Sequence, residues 1–410
     1  MNSSAKSVWP RNVVVMGGGR WARVYVDVLL ELLPASSRVL VYSPRNCEAM
    51  ANWIVGKGVG KQVSAFSSLP VLPERESKSV IVVNAAADHE KSIEWALSQD
   101  AAVLVEKPLT LSSSASIRLI IEAARRGVYL AAAHVFLFAE YLVNFKKKIK
   151  SLDEIDSIDV IWADAAVDAR HGEVKSFDPG VRIFEDCLPH VLSMLEILEP
   201  RESPRLVQMN FLRGGAQLDL VLSSAHCRYT VRLIRNGTER RRVITANGTE
   251  EFFTLDFSQE PGIIVTRSEI IAASPDWAVS QKPLSRMLEA FLDAAGGGCR
   301  DERLGTAVGL RAACLSEEIL PVYHAAQAQW LAQSLLEADE NDKDLRYALR
   351  EVALSGDSHA MPISEDTLSR IFQDIKSCVK DPASREQFAT RPIDFMKSVL
   401  IKSRMNQRTP

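Results

Sequence analysis

Val13-Val14-Val15-Met16-Gly17-Gly18-Gly19-Arg20-Trp21-Ala22-Arg23 is the stretch that decides how this chain is read. Three β-branched residues run into three glycines, and an apolar helical pattern starts at once. Glycine has no Cβ, so it tolerates unusual φ/ψ and lets a ligand approach the backbone. A helix starting there aims unpaired N–H groups and a partial positive charge at the turn, which suits a pyrophosphate. Read as G-x-G-x-x-A, with Gly17, Gly19 and Ala22 as its fixed points and Arg20 and Trp21 inside it, the stretch is a dinucleotide fingerprint. A glycine-rich turn can also simply end a buried strand, so the flanking sequence has to decide.

The flanks favour the fingerprint. Apolar runs predict strands at 12–16, 38–42, 79–83, 102–105 and 128–132, with helical periodicity at 20–32, 47–55, 89–99 and 112–126. Continuously apolar strands belong to a parallel sheet covered on both faces. Their alternation with helices predicts right-handed βαβ units in a doubly wound, mostly parallel α/β sheet, a Rossmann domain over residues 1–133.

A chain of 410 residues exceeds one typical core, so at least two domains are expected. A net charge of -3 gives no electrostatic case for nucleic acid or an anionic membrane. The six cysteines are scattered with no C-x-x-C pair, which argues against a metal cluster or a disulfide framework. No signal-peptide core and no bilayer-spanning run is apparent, so a cytoplasmic protein is expected.

Two further stretches carry chemistry. In this fold an acid at the tip of the second strand binds a ribose 2′-hydroxyl, whereas an Arg accommodates a 2′-phosphate. Here the tip reads Tyr42-Ser43-Pro44-Arg45. Ser43 and Arg45 therefore predict NADP(H) in preference to NAD(H), the alternative being that Arg45 is a solvated surface charge. Another predicted strand runs into Glu106-Lys107-Pro108, at the carboxyl end where such sheets bind ligands. Pro108 biases Lys107 away from the α region, presenting its ammonium for proton transfer. Read alone, Glu106 and Lys107 could equally be a loop-end ion pair.

Together, the glycine turn, Asn84-Ala85-Ala86-Ala87-Asp88-His89 after a strand, and Glu106-Lys107-Pro108 resemble the Gfo/Idh/MocA oxidoreductases, relatives of glucose–fructose oxidoreductase and inositol dehydrogenase. The resemblance implies a cofactor site that includes Asn84, Ala85, His89, Glu106 and Lys107. It also implies an Asp-x-x-x-His motif, supplied by Asp186 and His190. At i and i+4 these two share a helix face, and a carboxylate beside an imidazole raises its basicity. Taken singly, Asp186 would be a helix-start charge and His190 a satisfied core histidine. Lys107, Asp186 and His190 are thus the expected catalytic residues, with no metal. Which of Lys107 and His190 is the principal acid/base differs within the family. Departures include Asn84-Ala85 in place of Thr-Pro, and Leu137 where an Arg often precedes the Phe.

Residues 134–336 are expected to form an α+β substrate domain with an open, mostly antiparallel sheet. Strands are predicted at 157–163, 206–212, 217–222, 229–234, 241–246 and 251–257. Asn236-Gly237 and Asn247-Gly248 read as hairpin turns of a meander. In the family such a sheet often builds a dimer, so a homo-oligomer, dimer or tetramer, is expected. His171 is a candidate substrate contact. Helices are predicted at 282–295 and from 304 to about 336.

Residues 337–410 form a helical extension, with Leu368, Ile371, Phe372, Ile375 and Val379 on one apolar face and a second helix at 392–402. That face is expected to pack against the protein's own domains or a dimer mate rather than a dedicated partner protein. The resulting expectation is an enzyme transferring hydride between nicotinamide and a small-molecule C–OH or C=O carbon. A C=N or C=O reductase of a biosynthetic intermediate is the alternative enzyme, and a non-catalytic NADP-binding sensor or scaffold the alternative of another class.

Overall fold

The computed structural model describes residues 9–72, 78–150, 152, 154–167, 169–170, 173–174, 177–178, 180–199, 203–337, 339, 341–354, 363–378 and 380–405. His171 and Val379 lie outside the described residues. The chain divides into two compact units, one of residues 1–151, 188–202 and 260–314, the other of residues 152–187, 203–259 and 315–410.

The first unit contains β1 (Asn12–Met16), α1 (Arg20–Leu32), β2 (Arg38–Tyr42), α2 (Cys47–Lys57), β3 (Val63–Phe66), β4 (Lys78–Val82), α3 (His89–Ser98), β5 (Ala102–Glu106), α4 (Ser113–Arg126) and β6 (Leu130–Ala133). The six strands are parallel, in the order β3-β2-β1-β4-β5-β6. Strand order reverses between β1 and β4, the crevice where open α/β sheets bind ligands. The continuous apolar runs are explained by alternation to two covered faces. Val13, Val15, Val39, Val41, Ile81 and Leu104 enter one core with α1 and α2, while Val14, Met16, Val80, Val82, Val103 and Val105 enter another with α3 and α4. Strand β3 was not expected. It is a four-residue edge strand in which only Val63 is fully buried, so it carries little hydrophobic signal.

Beyond β6 come a 3-10 turn (Val135–Phe138), α5 (Glu140–Ile149), β7 (Ser157–Ala165), the two-residue strands β8 (Ala169–Arg170) and β9 (Glu173–Val174), and α6 (Ile183–Leu198). Strands β10 (Arg205–Leu212), β11 (Gln217–Ser223), β12 (Arg228–Gly237), β13 (Arg241–Asn247) and β14 (Phe252–Asp256) follow. Next are a hairpin of β15 (Ile263–Val265) and β16 (Ile270–Ala272), then α7 (Pro283–Ala295) and α8 (Ala307–Glu337). Helix α7 closes the first core of the parallel sheet with Met287, Leu288, Phe291 and Leu292.

The second unit's sheet runs β10-β11-β12-β7-β13-β14 and is mostly antiparallel, but it is not the simple meander that was expected. Strand β7 inserts between β12 and β13, parallel to the first and antiparallel to the second. Asn236-Gly237 is therefore the end of β12 and not a hairpin turn, although Asn236 does take a positive φ of 51°. Asn247-Gly248 does open a hairpin, closed by Gly248 N–H donating to Glu251 O at 2.8 Å.

The extension adds α9 (Lys343–Leu354), α10 (Glu365–Cys378), α11 (Pro382–Thr390) and α12 (Pro392–Met405). Leu368, Ile371, Phe372 and Ile375 point into a core shared with Leu331 and Leu335 of α8, Leu345, Leu349 and Val352 of α9, Phe388 of α11, and Phe395 and Met396 of α12. The apolar stripe is thus covered by the chain's own helices.

Candidate active site

The glycine turn is stitched to both neighbours of β1. Gly17 N–H donates to Tyr42 O at 2.9 Å, and Val83 N–H donates to Met16 O at 2.9 Å. Gly17 takes φ 141°, and a Cβ there would lie 2.8 Å from Val83 O. At Gly18 a Cβ would overlap Ser43. These two glycines are needed for close backbone approach. Gly19 is different: it is the exposed N-cap of α1, and a Cβ there would meet nothing within 4 Å. No side chain caps α1, and no acid occupies its first turn, which holds Arg20 and Arg23. The first N–H groups of α1 are therefore available to an anion. Ala22 is buried beneath the turn.

Glu106, at the end of β5, is tied to α1. Its Oε1 accepts from Trp21 Nε1 at 2.7 Å and from the Tyr25 hydroxyl at 2.6 Å, while Oε2 accepts from the Lys107 backbone N–H at 2.9 Å. Burial, reinforced by Glu106, holds the Tyr25 hydroxyl well above its ordinary pKa, so it stays a donor. Glu106 thus locates the Lys107 backbone. Tyr25, the residue that completes this clasp, was not foreseen as functional; its place on the apolar face of α1 hid it.

His89 begins α3 and is buried. Its Nδ1 lies 2.7 Å from Pro108 O and its Nε2 3.3 Å from Asn84 O. Both partners are carbonyls, and burial lowers the imidazole pKa, so the neutral ring donates once, best through Nδ1 to Pro108. His89 thereby pins the loop that carries Lys107, which is itself half-buried. Asn84 Nδ2 donates to Ser92 Oγ at 2.8 Å, leaving Oδ1 buried without a partner. Ala85 is exposed beside it. At the β2 tip, Ser43 is buried and its Oγ accepts from Asn46 N–H at 3.2 Å, whereas Arg45 is exposed. Of the two residues expected to meet a 2′-phosphate, Arg45 is thus the exposed one.

Helix α6 carries Asp186 and His190, both half-buried and one turn apart. Glu185 fixes its start: Oε2 accepts from Arg182 N–H at 2.8 Å, the reciprocal half of a capping box, and Oε1 pairs with Arg182 at 3.1 Å. Asp186 Oδ2 accepts from Arg235 at 2.9 Å. In the first unit, the His190 ring meets Phe136 edge-on, centroids 5.2 Å apart. Phe136 lies just after β6, which neighbours β5, so His190 and Lys107 are both tied to the carboxyl end of the parallel sheet.

His134, between β6 and that turn, was quoted in the sequence but given no role. It is 2% exposed, and neither ring nitrogen has a hydrogen-bond partner. Burial, helped by the Arg311 charge, depresses its pKa from 6.5 to about 4. The unfolded chain binds the proton more tightly, so this stability is complete above pH 6.5 and is lost as pH falls toward 4. The difference amounts to about 3 kcal/mol. Urea titrations of wild type and His134→Leu between pH 7.5 and 4.5 should show a shallower loss of stability in the variant. Equal slopes would remove His134 as the source.

Residues 11–134 match the profile of an oxidoreductase family with an NAD-binding Rossmann fold, GFO_IDH_MocA. Over that stretch the chain is similar to the Gfo/Idh/MocA oxidoreductases. The resemblance read from the glycine turn and Glu106-Lys107-Pro108 is borne out, as is the reading of the chain as an oxidoreductase. Three solved structures share the fold. UDP-N-acetylglucosamine 3-dehydrogenase GnnA from Acidithiobacillus ferrooxidans is 18% identical, with a TM-score of 0.61 over 77% of this chain and 98% of that one. KijD10, a 3-ketoreductase from Actinomadura kijaniata in complex with TDP-benzene and NADP, is 17% identical, with a TM-score of 0.61 over 75% and 96%. The dehydrogenase MviM from Clostridium difficile is 16% identical, with a TM-score of 0.59 over 76% and 99%. No curated protein matches the sequence. Each neighbour is nearly fully covered while about a quarter of this chain is not, so this chain carries more than the shared fold. Among the described residues no His, Cys, Asp and Glu cluster could hold a metal ion, and no helix is long and apolar enough to cross a membrane.

Proposed function

We propose that this chain is an NADP(H)-dependent oxidoreductase that interconverts a hydroxyl-bearing carbon and a carbonyl on a small molecule, with Lys107 and His190 as acid/base and Asp186 supporting His190. The observation that carries the reading is the cradle at the β1/β4 switch point. Gly17 and Gly18 admit no side chain, the first turn of α1 is uncapped, and the Asn84 amide oxygen is buried without a partner. That donor and acceptor set fits a dinucleotide: Gly17, Gly19, Arg20 and Trp21 at the pyrophosphate, Arg45 at the 2′-phosphate, and Asn84 and Ala85 toward the nicotinamide end. When bound, the coenzyme supplies the hydride donor or acceptor.

The protein supplies position and protons. Glu106 and His89 hold the Lys107 backbone from both sides, so its ammonium is delivered to one place. Lys107 donates a proton to a forming alkoxide, or removes it in the reverse direction. His190 is the second acid/base of this reading, an imidazole being the side chain suited to moving a proton. A sugar or sugar-nucleotide substrate is supported by the neighbours GnnA, a UDP-N-acetylglucosamine 3-dehydrogenase, and KijD10, a 3-ketoreductase. A cytoplasmic homo-oligomer remains part of this reading.

The coenzyme preference has a direct test. An exposed guanidinium on a phosphate contributes about 1.5–3 kcal/mol, so Arg45→Asp should reduce the preference for NADPH over NADH roughly 10- to 100-fold. Fluorescence titration with each coenzyme measures it before any substrate is known. Tighter NADH than NADPH binding in wild type would end the NADP(H) reading.

A further inference from the structure

In β12, Tyr229, Val231, Leu233 and Arg235 alternate on the buried face of the strand. A guanidinium thus occupies a core position, only 2% exposed. Its Nη2 donates to Asp186 Oδ2 at 2.9 Å, and Nη1 donates to Val181 O at 2.8 Å and to the Tyr347 hydroxyl at 3.3 Å. The Phe177 ring lies beneath it, 4.7 Å from the guanidinium carbon, and meets the Tyr347 ring at 5.8 Å. Tyr347 belongs to α9, in the helical extension. One turn further along α9, buried Glu351 accepts from Tyr323 at 2.6 Å and from Gln327 at 2.9 Å, both on α8.

The strand connection beside this network is shaped to receive α9. Gly214 takes φ 63°, and a Cβ there would run into the Asp344 carbonyl in the first turn of α9; a Cβ on Gly215 would run into the Tyr323 hydroxyl. Arg213 pairs with Asp344 at 3.3 Å. Two independent features, a buried polar network and a glycine turn, therefore fix α9 against the strand that carries Arg235.

A buried guanidinium is tolerated only with an anion beside it. The charged and titratable groups that face it are Asp186 and Cys187 from α6 and Tyr347 and Glu351 from α9. Burial opposes the Arg235 charge but is outweighed by Tyr347, Asp186 and Cys187; burial raises both Tyr347 and Glu351, keeping the Tyr347 hydroxyl neutral. Asp186 is the carboxylate that balances Arg235 and also lies one helical turn before His190.

We propose that Arg235, clamped by Tyr347 of the C-terminal helices, is a positioning residue that orients the Asp186 carboxylate for His190, one turn further along the same helix. This rests on the assignment of Asp186 and His190 given above. Arg235 holds Asp186 Oδ2 at 2.9 Å, one helical turn before His190 on α6.

The test needs no substrate. Histidine-selective isotope labelling and NMR titration of the coenzyme-free protein follow the His190 imidazole, identified by its loss in His190→Gln. Asp186→Asn should lower the His190 pKa. Arg235→Gln releases the carboxylate from its orientation for His190 and should lower the pKa part of the way toward the Asp186→Asn value; a rise would report only a lost cation and overturn the positioning role. Tyr347→Phe should lower it by less, and Arg235→Lys should restore most of the wild-type value. A shift in Asp186→Asn with none in Arg235→Gln or Tyr347→Phe overturns the clamp. No shift in Asp186→Asn instead overturns the Asp186–His190 assignment beneath it. Should Arg235→Gln fail to fold, Tyr347→Phe, which deletes one oxygen, decides the question.

Discussion

Lys107→Ala should lower turnover by about 10²–10⁴-fold while leaving coenzyme affinity nearly unchanged. The substitution spares everything that locates the loop. The Lys107 N–H still donates to Glu106 Oε2, and His89 still holds the Pro108 carbonyl. What disappears is the ammonium alone. Lys107→Arg separates two roles, because a guanidinium keeps the charge but does not release a proton at working pH. Proton transfer predicts that both variants are slow; electrostatic support alone predicts that Arg restores most of the rate. His190→Ala should cost a similar factor. Steady-state kinetics with NADPH and a sugar-nucleotide ketone panel give the comparison, and full activity in either alanine variant removes that residue from the mechanism.

Ending the chain after Glu337 is expected to be more damaging to folding than any point substitution. Leu331 and Leu335 of α8 are fully buried only because α9, α10 and α12 cover them. Deletion also leaves Tyr323 without Glu351 and Arg235 without Tyr347. Each large apolar side chain returned to water costs about 1.5–3 kcal/mol, and each kcal/mol moves the midpoint about 2–4 °C in a domain of this size. The truncated chain should be insoluble or melt more than about 10 °C lower. A soluble truncated protein with an unchanged melting temperature would show that the extension serves something outside this molecule.

Local patterns in the sequence exposed one end of the site and hid the other. The β1 turn, the helix after it and Lys107 were legible because a short run of residues both forms the structure and carries the chemistry. Asn236-Gly237 misled because local turn chemistry says nothing about β7, seventy residues earlier, pairing with β12. Ser64 and Ala65 gave β3 no apolar run to read. Helices α9 and α11 were not among the helices expected within the extension. Arg235 left a trace: the expected strand ended at Ile234, one residue before a charge in register with Val231 and Leu233. Its partner Tyr347 is more than a hundred residues away, and no local pattern could supply it.

Glu106 has a mechanical consequence. One carboxylate grips both helix α1 and the backbone of Lys107. On the proposed reading, a displacement of α1 would be relayed through these hydrogen bonds to the loop bearing Lys107, coupling the seating of a coenzyme to the placing of the lysine.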